Sequence, residues 1–102
     1  MDPKTLDALR ASIAHWKENE QVTDIDDAKT GARHCALCVL FSDFPNDCKG
    51  CPVKEKTGKN NCRDTPYYQT VDSKDDGDLE AFRLAAKAER EFLESLLPPD
   101  TP

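Results

Sequence analysis

The chain has 102 residues, of which 37% are hydrophobic and 33% charged, and its formal net charge is −6. That length allows one small domain with a modest buried fraction, and the acidic balance argues against a surface built to neutralise nucleic-acid phosphates, which needs clustered Lys and Arg. No apolar run approaches the roughly 18 residues of a membrane span, and Asp2 stands where a signal peptide would carry its basic region, so the expected location is the cytoplasm.

The first element is a helix over residues 3–20. Asp2 suits the N-cap and Pro3 the first helical position, where a missing N–H costs nothing. Leu6, Leu9, Ile13 and Trp16 then recur at spacings of three and four, which puts them on one face. His15, beside Trp16, reads as a partly exposed residue flanking that stripe. The following segment, "VTDIDDAKTG", reads as irregular chain with Val22 and Ile25 as anchors.

The middle carries the chemistry. "CALCVLFSDFPNDCKGCPV" holds Cys35, Cys38, Cys48 and Cys51 as two C-x2-C pairs separated by nine residues. Two intervening residues let both sulfurs of a tight turn reach one ion, and two such pairs supply the tetrahedron that zinc prefers. In a reducing compartment closely spaced cysteines are metal ligands more readily than disulfides. Pro45 and Asn46 mark a turn between the pairs, and Gly50 relieves crowding in the second. Pro52 opens a short helix, "PVKEKT", that Gly58 closes. Leu37, Val39, Leu40, Phe41 and Phe44 are the expected apolar wrapping of the site. Cys62 is a fifth cysteine and an alternative ligand; His34 is a weaker one, because adjacent residues of an extended chain point to opposite sides. An iron–sulfur cluster is the second chemistry open to four thiolates, although the C-x2-C-x2-C core of bacterial ferredoxins is absent.

After the cysteines, "CRDTPYYQTV" reads as extended because a residue before proline avoids the helical region, so Tyr67 and Tyr68 are expected on opposite sides. "VDSKDDGD" reads as an acidic linker over residues 72–78. A second long helix follows over residues 78–97, with Asp78 as N-cap, Leu79, Phe82, Ala86, Leu93 and Leu97 along one side, Phe92 and Leu96 widening it, and Pro98 and Pro99 as the stop.

The fold expectation is therefore a single, mainly α domain over residues 1–102, with N- and C-terminal amphipathic helices packed around a small zinc-knuckle-like module of four cysteines at about residues 33–68. The chain lacks a histidine-bearing catalytic zinc motif and a phosphate-binding glycine loop, so the expectation is a protein that is not an enzyme.

The combined pattern, C-x2-C, then C-x-G-C-P-V, T-G and C-x2-T-P-Y, between "HWKEN" and "FLESLLP", resembles small cysteine-rich proteins encoded by bacteriophages and prophages. The resemblance spans Leu6 to Pro98 and implies a setting, an accessory product in the bacterial host cytoplasm that binds a host or phage protein. It implies no activity. The function expected is a protein-interaction module stabilised by one structural Zn2+. The alternatives are a zinc-knuckle nucleic-acid binder using Lys49, Lys54, Lys56, Lys59 and Arg63, an iron–sulfur redox protein, and, more weakly, an acidic mimic of DNA.

Overall fold

The structure, a computed structural model, describes residues 2–30, 36–41, 51–58 and 65–98, the side chain of Cys38 excepted. Among these, 74% are helical and none lies in a strand. The helices are α1 (Pro3–Asn19), α2 (Ala36–Phe41), α3 (Pro52–Thr57), α4 (Tyr67–Asp75) and α5 (Leu79–Glu94). A 3-10 turn at Ile25–Asp27 follows α1. Helix α5 packs against both α1 and α4, and α2 packs on α1. No helix among the described residues is long and apolar enough to cross a membrane.

Helix α1 starts as its sequence dictates. The Asp2 carboxylate accepts from the Lys4 N–H at 3.0 Å, satisfying a donor that the first turn leaves orphaned, and from the Thr5 hydroxyl at 3.3 Å. Leu9, Ile13 and Trp16 are buried, whereas Leu6 is only half-buried. Three polar residues, Thr5, Ser12 and Asn19, complete the buried face. At the far end Arg83 Nε donates to the Glu20 carbonyl at 2.8 Å, a side chain from α5 serving as the cap of α1.

Helix α5 begins on the Asp78 side chain, which accepts from the Ala81 N–H at 3.0 Å. Its buried stripe is Phe82, Ala86, Glu89 and Leu93. The helix ends at Glu94, short of the expected residue 97. Leu96 and Leu97 donate to Leu93 and Glu94, bonds of the i→i−3 kind, because Pro98 bars Leu97 from the α-helical region and the chain tightens before it.

Two expectations for the segment before α5 are corrected. Residues 67–75 form α4, neither an extended stretch nor, at 72–75, a linker; the turn is confined to Asp76 and Gly77. Pro66 occupies the helix start rather than a strand, and the Thr65 hydroxyl accepts from the Tyr67 N–H at 3.2 Å. Pro66 is itself the cap of α4, one place earlier relative to its helix than Pro3 in α1. The aspartates face water while Thr70 is fully buried, so α4 is held by packing on α5 through a hairpin whose Gly77 adopts φ 71°.

The segment after α1 is anchored as expected, with Val22 and Ile25 packed against the core. The stronger ties are polar. Asn19 Nδ2 donates to the Lys29 carbonyl at 3.0 Å and Asn19 Oδ1 accepts from the Lys29 N–H at 3.1 Å. His15 Nε2 lies 3.1 Å from the same carbonyl. Arg90 reaches back to the Glu20 carboxylate through Nε and Nη2, and to Glu94 one turn on. The hydrogen bond to Glu20, then that to Glu94, hold the Arg90 proton more tightly than usual against the opposing effect of desolvation.

Candidate metal centre

Each C-x2-C pair runs into a six-residue helix. Cys35 immediately precedes α2 in the sequence and Cys38 lies within it; Cys51 immediately precedes α3. Isolated helices of that length do not persist in water, so both depend on what they pack against or what is bound beside them.

Helix α2 is held by α1. The Leu37 N–H, an orphan donor of its first turn, donates to the Ser12 hydroxyl at 3.3 Å in a buried setting, and Leu37 itself is 1% exposed. Phe41 packs at the margin of the core. The expectation that the whole apolar run wraps the site is corrected here: Val39 is 69% and Leu40 37% exposed. A helix of six residues has room to bury one side only, and Leu37 and Phe41, four apart, take it.

Helix α3 is anchored by Pro52 and Val53, both buried. Gly58 caps it in the left-handed conformation at φ 75°, as the sequence predicts, and its N–H donates to the Lys54 carbonyl at 2.6 Å. Cys51 is the N-cap, 6% exposed, and its sulfur does not take the capping hydrogen bond. A buried cysteine at a helix start fits the second half of a C-x2-C turn closing on a metal, with Glu55 in the first turn of the helix and Lys54 and Lys56 in its last.

Of the expected ligands, Cys51 is therefore located with its surroundings and Cys38 by its backbone. Cys35, Cys48, Cys62 and His34 lie outside the described residues, as do Phe44, Lys49, Lys59 and Arg63.

Tyr67 and Tyr68 follow this module. Tyr67 is half-buried, its ring 6.2 Å from Trp16 in a T-shaped contact, while Tyr68, 5.5 Å from Tyr67, is 43% exposed. His15 extends the same aromatic row, edge-on to Trp16 at 5.1 Å. One tyrosine packs and its neighbour faces water, through a helical turn instead of the alternation of a strand.

Sequence reasoning missed Ser12 and Glu89. Both break an apolar stripe at core-facing spacing, between Leu9 and Trp16 and between Ala86 and Leu93, and both are buried. A polar residue at such a position signals a hydrogen bond to another element, which for Ser12 is the start of α2. No family model, curated protein or solved structure matches the chain.

Proposed function

We propose that this chain is a small protein-interaction module whose middle is organised by one structural Zn2+ held by Cys35, Cys38, Cys48 and Cys51. The carrying observation is that both C-x2-C pairs lead into six-residue helices, one of them N-capped by buried Cys51. Four thiolates on zinc form a closed site, which cross-links chain and offers no open position for substrate; no reaction is assigned. The interaction reading draws on Val39 and Leu40, apolar and exposed on the helix that carries Cys38, and on exposed Tyr68. The phage setting, with a host or phage protein as partner in the bacterial cytoplasm, rests on the sequence pattern.

Elemental analysis of reduced, tag-free protein tests the metal: about one zinc per chain is expected, and iron with sulfide, or no metal, overturns it. The nucleic-acid alternative keeps support from Lys54 and Lys56 on α3. It requires a gel shift that weakens steeply as salt rises, whereas the interaction module shows none.

A further inference from the structure

The outer face of α5 is a second surface, remote in sequence from the cysteines. Leu84 is 64% exposed there. It borders an open groove of about 420 Å3 between the end of α1 and the first half of α5, whose lining includes Glu20, Leu79, Glu80, Arg83 and Lys87. Glu20 is committed to Arg90, and Arg83 is drawn toward the end of α1 by the Glu20 carbonyl. Around Leu84 this leaves Glu80 one turn before and Lys87 one turn after, both exposed and on the same face at spacings of four and three.

We propose that this face binds a second copy of the chain, two α5 helices crossing antiparallel about a two-fold axis beside Leu84. Such an axis sets Lys87 of each copy level with the partner's Glu80, so the patch is complementary to itself, as an isologous contact must be. Leu84 of each copy then enters the other's groove, against Leu79 and Leu84. A chain with net charge −6 repels its own copies in general, and this face is one where opposite charges meet instead. Helices packed through their i±4 ridges cross at about 50° and diverge within a turn or so, which keeps Glu91 clear of the partner's Asp76. The contact is too small for the roughly 1,000 Å2 of a stable specific interface, so the dimer is weak, dissociated at about 10 μM and substantially formed near 1 mM.

Sedimentation equilibrium on the full chain as purified over that range is the test. Leu84→Glu and Lys87→Glu are each expected to weaken association at least tenfold, and the double variant Lys87→Glu with Glu80→Lys to restore it to within about threefold. All three positions are exposed, and unchanged melting and circular dichroism check that folding is intact. A chain that stays monomeric at 1 mM overturns the proposal. So does association insensitive to Leu84→Glu, which would point to Val39 and Leu40 on α2, and so does a charge swap that fails to rescue. The face carries no cysteine, so these outcomes are separate from those of the metal analysis.

Discussion

Asn19 and Ser12 show what one buried polar side chain does in a small core. Asn19 satisfies both backbone groups of Lys29, pairing a loop to a helix much as a strand would. Asn19→Ala takes the partner from the Lys29 N–H while His15 still lies beside the carbonyl, and urea melts are expected to show a loss of about 1 kcal/mol. Ser12→Ala removes the acceptor of the Leu37 N–H, at a cost of about 1–2 kcal/mol. The two differ in a second readout. Ser12 holds the helix that carries Cys38, so under the zinc reading Ser12→Ala is expected to speed zinc loss to a competing chelator more than Asn19→Ala does at matched stability. Arg90 behaves differently again. Its proton is held more tightly in the folded chain, chiefly by Glu20, so its contribution is fully present below the ordinary arginine range and fades only as pH rises above it. Melting near neutrality owes no pH dependence to this group.

At the level of elements, three of the five described helices start beside an X-Pro pair: Asp2–Pro3, Cys51–Pro52 and Thr65–Pro66. The first two were legible because apolar periodicity or a closing glycine followed. The third was not, because the run after it is polar and its helical moment is weak. Thr65–Pro66 therefore favoured the extended reading, and packing on α5 decided otherwise. The two glycines with positive φ, Gly58 and Gly77, cap α3 and turn α4 into α5. A Cβ at either meets nothing within 4 Å, so alanine there meets only backbone strain. Gly77→Ala is expected to cost about 1 kcal/mol, and Gly77→Asn less, since Asn tolerates the left-handed region; thermal melts of the pair check it.

Across the whole molecule, the buried apolar residues come from long and short helices alike. Leu9, Ile13 and Trp16 come from α1 and Phe82, Ala86 and Leu93 from α5, while among the described residues of the middle Leu37, Cys51, Pro52 and Val53 are buried on or at the start of helices of six residues each. Under the zinc reading, the metal cross-links those two short helices, and binding free energy is on the order of 10 kcal/mol for small zinc peptides before coupled costs. Chelation is then expected to strip hydrogen-exchange protection from α2 and α3 while α5 keeps most of its own; equal loss in all helices refutes that division. Cys51→Ser and Cys48→Ser are expected to lose zinc and melt lower, and Cys62→Ser to do neither. If Cys62→Ser loses metal while Cys48→Ser keeps it, the ligands are Cys35, Cys38, Cys51 and Cys62.

What the sequence by itself determined were features decided within a turn or two of chain. These include the caps at Asp2 and Asp78, the apolar stripes of α1 and α5, the closure of α3 at Gly58 and the spacing of the cysteine pairs. Tertiary structure decided which faces those elements turn to one another. It made α4 a helix, left Val39 and Leu40 outside, buried Glu89 in the α5 stripe, and joined Arg90 to Glu20 across 70 residues. The physical reason is one of range. Capping and periodicity act through bonds three and four residues apart, whereas burial of a given face depends on a neighbour that the local sequence does not contain.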